Sequence, residues 1–489
     1  MKRSRKIACL VLAIAMIATA MLSGCSPAGG GDDANRKLVW YTFGTKQPDH
    51  DKVVAEANKI IKEELGFEID YNVVDGSSYE QKINLAVSAG EKFDLCFTAS
   101  WMNNFNNNAA KGAFTEITDE LLAENAPELK GLYPDWFMDG GLYGGKLYAV
   151  PNYQLVAIPP GYNIQKELAD KYNLDVSTIK NWKDIEPFLA QVKEGEPNLF
   201  PISPGYDPFS LDFDNIGFER QLWAKKGDPE HKVMARCDIP EAKELLEFWS
   251  GWYEKGYIRS DLLTSEEGEA TDQANNKYAV IMNTIKPGGE GDLKLKTGKD
   301  YVPVVVGEAE ITSGATVVTM LGISSTSPDP GKAMQLINLL HTNKDLYNML
   351  IFGLENEHYT VEQEDPKVVK VAEDSKYSMS ATNAWTFGNQ FNAYYRDDQT
   401  VGSWEESDKL NRSMKVSTYY GFTFDNTAVK NEIAKVAAVF NEYHFERIYA
   451  RANWQEAYNE YVQKVKAAGV DKMVEESQKQ VNEWFATKQ

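Results

Sequence analysis

Between residues 38 and 98 the chain switches its hydrophobic period several times, and that alternation constrains its fold more than any other feature. Residues 38–43 form a short apolar, aromatic run of strand type. After a polar turn, Val53, Val54, Ala57, Ile60 and Ile61 recur at helical spacing. Phe67, Ile69, Tyr71 and Val73 then alternate with a period of two. Ser78 and Gln81 have the spacing of a capping box, opening a helix whose Tyr79, Ile83 and Val87 share one face and which Gly90 closes. Residues 93–98 supply a third strand. Strands alternating with helices imply a parallel sheet with helices packed on its faces, and in such sheets ligands bind beyond the carboxyl ends of the strands. Those ends carry residues 41–44, 75–77 and 98–104.

Ahead of this unit lies a segment of different character. Lys2, Arg3, Arg5 and Lys6 precede an apolar stretch over residues 7–22, and small residues follow. That pattern is an export signal covering residues 1–24 and takes no part in the fold. It is shorter than the roughly 20 apolar residues a spanning helix needs, and no later stretch comes closer. Leu22-Ser23-Gly24-Cys25 looks like a lipobox, in which the thiol of Cys25 receives a diacylglycerol after cleavage. Residues 25–36, rich in Gly, Ser, Pro and Asp, read as a flexible tether. The expected location is the extracellular face of the cell membrane, held by lipid alone.

The chain has 489 residues, more than one core usually serves, so two lobes are expected. With 72 acidic against 51 basic residues, the formal net charge is −21. Nucleic acid and anionic membrane surfaces reward Lys and Arg, so neither is an expected partner. Once the leader and Cys25 are set aside, Cys96 and Cys237 are the remaining cysteines, too few for a disulfide scaffold. Whether they pair is open at this stage.

Further along, the strand-like run over residues 146–158 meets Pro159 and Pro160 and gives way to a helix expected over residues 164–172, which reads as a first crossing between lobes. A second crossing is expected at residues 278–287, where an apolar strand stops at Asn283 and meets Pro287, Gly288 and Gly289. Asp329 and Pro330 form an N-cap and N1 pair ahead of Ala333, Leu336, Ile337 and Leu340. Two C-terminal helical stripes follow, Val429, Ile433, Val436 and Phe440, then Trp454, Tyr458, Tyr461 and Val465. The expected division is an N-terminal lobe of residues 37–152 plus 287–325 and a helix-rich C-terminal lobe of 153–286 plus 326–489.

In this order, "KINLAVSAGEKFDLCFTASW" (82–101), "KGAFTEIT" (111–118), "GKLYAVPN" (145–152), "NWKDIEPFL" (181–189) and "YAVIMN" (278–283) resemble the extracellular solute-binding proteins of ABC importers, in the oligosaccharide-binding family that includes maltose-binding protein. The tail, with "WTFGNQFNAYY" (385–395), "YYGFTFD" (419–425) and "ESQKQVNEWF" (476–485), is similar to a lipoprotein subgroup of Gram-positive bacteria. The resemblance implies an α/β, two-lobed, periplasmic-binding-protein-like fold of type II, with an interlobe cleft, a hinge, and delivery of the captured solute to ABC permease subunits. It also implies a monomer without cofactor.

Sugars present apolar C–H faces ringed by hydroxyls, so a carbohydrate cleft needs aromatic platforms flanked by amides and carboxylates. Most of the 11 Trp, 25 Tyr and 21 Phe must be core, so position decides. Tyr41 and Phe43 end the first strand. Trp101 follows the third, beside Asn103. Tyr153 and Asn283 stand at the expected crossings, and Trp385, Gln390 and Tyr394 come from a segment too polar and aromatic for a plain helix. Trp223 completes the ligand-binding set.

No catalytic residue is expected. A glycosidase would need two carboxylates facing one cleft, and among so many acids pairs such as Asp212 and Asp214 with Glu219 arise by number alone. His50, His231, His341, His358 and His444 never fall at metal-ligand spacing. Residues 212–217, "DFDNIG", begin like a calcium loop, but Ile216 takes a ligand position and Trp223 stands where the bidentate Glu belongs. Peptide binding, and a sensory or adhesive lipoprotein without transport, stand as alternatives.

Overall fold

The computed structural model describes residues 36–488 except 157, 205–207, 218–220, 266–268 and 380–382. The export signal, Cys25 and nearly all of the tether lie outside the described residues. Among the described residues no helix is long and apolar enough to cross a membrane.

The first lobe is built on strands β1 (Leu38–Phe43), β2 (Ile69–Val74) and β3 (Leu95–Thr98), with helices α1 (His50–Leu65) and α2 (Gly76–Ala89) as the crossovers. β1 lies between its two neighbours and runs parallel to both. One face packs Trp40 on Tyr71, ring centres 4.0 Å apart, against Val53, Ala57 and Ile61 of α1. The other buries Tyr79 and Ile83 of α2 against Phe93 and Phe97. α2 begins one turn earlier than the expected capping box, because the Asp75 carboxylate accepts the Ser77 amide and caps the helix itself. Gly90 ends it in the left-handed region at φ 67°, where a Cβ is strained.

The sheet is mixed, not purely parallel as the strand–helix alternation implies. Met320–Ile323 inserts antiparallel between β3 and Ala149–Pro151, returning to the first lobe from the second. The second lobe has its own sheet, in the order Tyr301–Val305, Pro160–Gln165, Tyr278–Thr284, Phe200–Ile202. Its core holds Tyr162, Leu189, Trp249, Trp252 and Val280 together with Tyr458, Val465 and Val481 from the C-terminal helices.

Three expectations change here. Residues 160–165 are strand, with a helix only over Lys166–Lys171; the run bonds on both edges to the second sheet. Tyr278–Thr284 is not a crossing, since it pairs antiparallel with Pro160–Gln165 and its chain returns through Gly289–Thr297 to Tyr301–Val305, on the far side of Pro160–Gln165 in the same sheet. The lobe limits therefore shift. Residues 301–305 belong to the second sheet and not the first lobe, whereas Pro330–Thr342, Lys344–Phe352 and residues to Ala393 bury Leu336, Ile337, Tyr347 and Phe387 in the first lobe's core. Local composition marks a strand followed by Pro and Gly but does not say which sheet the strand joins.

Among the described residues the chain crosses three times, near residues 152–156, 306–319 and 397–416. The second and third crossings pair as short parallel strands, Glu310–Ile311 with Lys415–Val416. Helix Ser403–Ser413 on the third crossing is tied to the first through the buried Asn411, which accepts the Val156 amide at 3.0 Å. Cys96 and Cys237 are both free, Cys96 buried in the first lobe's core and Cys237 half-buried against the second's.

Candidate functional site between the lobes

β1 and β3 end side by side, and their last side chains meet a third segment. Phe43 closes β1, Trp101 stands in the loop after β3, and Trp385 comes from the turn Ala384–Thr386. Their rings lie 5.6 Å (Phe43–Trp101), 6.0 Å (Phe43–Trp385) and 6.0 Å (Trp101–Trp385) apart, backed by Phe97. Trp101 is 51 % exposed although it is the largest side-chain type, which is the opposite of what packing alone favours. Its indole N–H donates to the Val318 carbonyl at 2.9 Å, so the exposed ring is held in place.

Polar side chains hold the Trp385 turn. Asn383 donates to the Phe43 carbonyl at 3.0 Å. Thr319 donates to the Trp385 carbonyl at 2.9 Å, and buried Asn152 donates both to Thr319 and to the Thr386 carbonyl at 2.8 Å. A neighbouring cavity of about 420 Å3 is lined by Trp385, Gln390 and Tyr394 of the first lobe, by Gln154 of the first crossing, and by Lys286 and Gly288 of the second lobe. Ser403, Trp404 and Ser407 of the third crossing complete it. Lys286 pairs with Asp292 at 2.5 Å. Burial, with the Asp345 carboxylate beside it, pushes the Tyr394 hydroxyl above its ordinary range and keeps it a neutral hydrogen-bonding group.

Among the described residues lining this cavity Asp292 is the one carboxylate, and it is neutralised by Lys286. The pair of facing acids that glycoside hydrolysis requires is not assembled there. Asp214 sits instead on a strand of the second lobe, buried and bonded to Ser417 at 3.0 Å, so residues 212–217 form no calcium loop. Glu219 lies outside the described residues. The cluster with ligand-like proximity among the described residues is Asp49, Glu357 and His358. Its atoms are already partnered: His358 accepts the Leu354 amide through Nδ1 and meets Asp49 through Nε2, and Lys52 holds Glu357.

Of the expected ligand residues, Phe43, Trp101 and Trp385 come together, and Gln390 and Tyr394 line the adjoining cavity. Others fall elsewhere. Tyr41 faces the flank of the sheet, its hydroxyl on Glu91 at 3.0 Å and its ring under Lys82, because it is two residues short of the strand end. Asn103 is fully buried at φ 47°, bonding the Phe97 carbonyl at 2.8 Å and Asn108 at 2.9 Å, so it shapes the loop that presents Trp101. Tyr153 is 1 % exposed, stacked near Tyr133 and bonded to Asp408 at 2.7 Å. Trp223 is core, edge-on to Phe209 at 4.9 Å. Asn283 is exposed but caps its own neighbour, Thr284, and Lys286 to Gly288 reach the cavity in its place.

The third crossing is a site element outside the expected ligand set. Its signal was present: Ser403, Ser407 and Asn411 recur every four residues, a buried polar stripe on one helical face where an apolar one is usual.

Two α/β lobes, three crossings and a cleft with aromatic platforms define a two-lobed binding protein. The chain belongs to the bacterial extracellular solute-binding protein family, whose description matches residues 48–346, and a domain of unknown function, DUF3502, matches residues 418–486. It is 29 % identical over 98 % of its length, and 97 % of the relative's, to a carbohydrate ABC transporter substrate-binding protein of Streptococcus pneumoniae serotype 4. The N-glycan transport solute binding protein NgtS of Streptococcus pneumoniae superposes with a TM-score of 0.79 at 28 % identity, covering 92 % of this chain and 99 % of that one. Complexes of NgtS with Man1GlcNAc and Man5GlcNAc superpose at 0.67 and 0.66, at 28 % and 29 % identity, over 91 % and 92 % of this chain and 98 % and 99 % of theirs. The expectation of a binder and not an enzyme agrees with this family.

Proposed function

We propose that this chain is the lipid-anchored receptor of a carbohydrate importer, held outside the cell through Cys25 and capturing an oligosaccharide of mannose and N-acetylglucosamine between its lobes. The observation that carries the reading is the exposed, fixed Trp101 beside Phe43 and Trp385, a platform for the C–H face of a sugar ring. Gln154, Gln390 and Ser403 supply donors and acceptors for the hydroxyls.

A ligand touched by both lobes stabilises the closed form by its differential affinity for that form. The better superposition on the NgtS structure described without a glycan than on its two complexes supports a lobe movement about the three crossings. Lipid anchoring keeps the loaded receptor near the permease and raises its effective concentration there.

The test is calorimetric titration of the full chain in detergent with Man1GlcNAc, Man5GlcNAc and a set of short peptides. Saturable glycan binding, weakened about 10- to 30-fold by Trp101→Ala without glycan cleavage, supports the reading. Binding of peptides alone would replace the ligand class, and turnover of the glycan would replace the function.

A further inference from the structure

The second crossing ends in four consecutive residues, 316–319, each of which holds a different part of the molecule. Thr316 meets the hydroxyl of Tyr420, a second-lobe residue, at 3.0 Å. The Val317 carbonyl accepts the Ser100 amide at 2.7 Å, and the Val318 carbonyl accepts the Trp101 indole at 2.9 Å. Thr319 donates to the Trp385 carbonyl at 2.9 Å. Beyond them Met320 enters the first sheet opposite Thr98 of β3.

Both ends of this strip are enclosed. Thr316 and Thr319 are buried, and neither lines the cavity beside Trp385 or the interlobe groove bordered by Asn104, Tyr420 and Trp484. Gly140 of the first lobe packs on Thr316 so closely that a Cβ there would come within 2.5 Å of the threonine side chain. The Tyr420 hydroxyl also donates to the Trp136 carbonyl at 2.8 Å, so it joins the second lobe to the first. At the other end Asn152, where the first crossing leaves its sheet, donates to Thr319 at 2.8 Å. The loop carrying Trp101 is closed on itself, Asn104 donating to the Ser100 carbonyl at 2.7 Å.

We infer that Thr316 and Thr319 are positioning residues for glycan capture, which tie both tryptophans of the platform to the contact Tyr420 makes across the lobes. Neither touches the sugar. A lobe movement that displaces Tyr420 acts on Thr316, and the strip carries the shift to the loop of Trp101 and the turn of Trp385. Such coupling requires an unbroken path of hydrogen bonds and packed groups, and the four residues supply one. The inference rests on the carbohydrate reading above.

The test is calorimetric titration of Man5GlcNAc into the wild-type full chain and into Thr316→Val and Thr319→Val, which keep the side-chain shape and lose the hydroxyl. Tyr420 is left intact because it borders the groove, where its substitution would mix two effects. Thr316→Val is also combined with Trp101→Ala, and Thr319→Val with Trp385→Ala. Each single variant should bind about fivefold more weakly, and the loss should shrink below about twofold where the ring it positions is already missing. Thr319→Ser, which restores the hydroxyl, should recover the affinity. In Thr316→Val the Tyr420 hydroxyl keeps the Trp136 carbonyl, so that variant decides the matter even where Thr319→Val melts early. Unchanged affinity in Thr316→Val, or a loss of the same size with and without the ring, would overturn the coupling while leaving the receptor intact. Failure of the glycan to bind the wild type would instead remove the carbohydrate reading, and the positioning role with it.

Discussion

Asn411 Nδ2 donates to the Gln154 carbonyl at 2.7 Å, joining the third crossing to the first inside the protein. Its Oδ1 accepts the Val156 amide, so one carboxamide satisfies two backbone groups of a segment that belongs to neither sheet. Asn411→Ala leaves both groups unpaired and should cost about 1–3 kcal/mol in urea unfolding. An unchanged midpoint would mean that the crossings are held by the paired strands 310–311 and 415–416 alone.

Asn103 and Trp101 are neighbours with opposite duties. Asn103→Ala removes buried hydrogen bonds at a left-handed backbone position and should lower stability by about 2 kcal/mol while glycan affinity stays within about threefold. Asn103→Gly, which tolerates that backbone, should lose less. Calorimetry beside thermal unfolding checks both, and a selective loss of affinity in the alanine variant would return Asn103 to the ligand set.

His341 gives stability a pH slope. Burial lowers its pKa to about 3, Tyr133 occupies Nδ1 at 2.7 Å, and Nε2 has no partner. Between the unfolded value near 6.5 and the folded one, only the unfolded chain takes up the proton, so stability falls as pH drops through that window by about 1.4 kcal/mol per pH unit. Going from pH 7 to 5 should therefore cost about 2 kcal/mol through this residue. Urea midpoints of wild type and His341→Phe at the two pH values measure it, and parallel slopes would exclude His341 as the source.

Burial pushes the Cys96 thiol up to about 12, and it is fully enclosed. Ellman's reagent at pH 8 should leave Cys96 unlabelled in the native protein and label it promptly in denaturant. Fast native labelling at that position would show that the loop 99–104 opens.

Much of the architecture is legible in the sequence. The period changes over 38–98 correctly gave three strands and two helices, because a half-buried strand and an amphipathic helix leave different spacings of apolar residues. The helix does start at Asp329–Pro330, with the Asp329 carboxylate accepting the Lys332 amide, since capping is a local event. For the site, the rule that ligands meet the carboxyl ends of parallel strands placed Phe43 and Trp101 together. The same rule misplaced Tyr41, which lies two residues too early, and could not tell Asn103 from Asn104, which differ only in which way one left-handed residue turns the loop.

By itself, then, the sequence determined what depends on neighbours along the chain: the strand and helix periods, the caps, and the family order of motifs. Tertiary structure alone decided which sheet each later strand joined, that Met320–Ile323 returns antiparallel to the first lobe, and that Trp385 meets Trp101 across nearly three hundred residues. Those choices rest on hydrogen bonds and ring contacts between distant segments, and no local spacing records a contact of that kind.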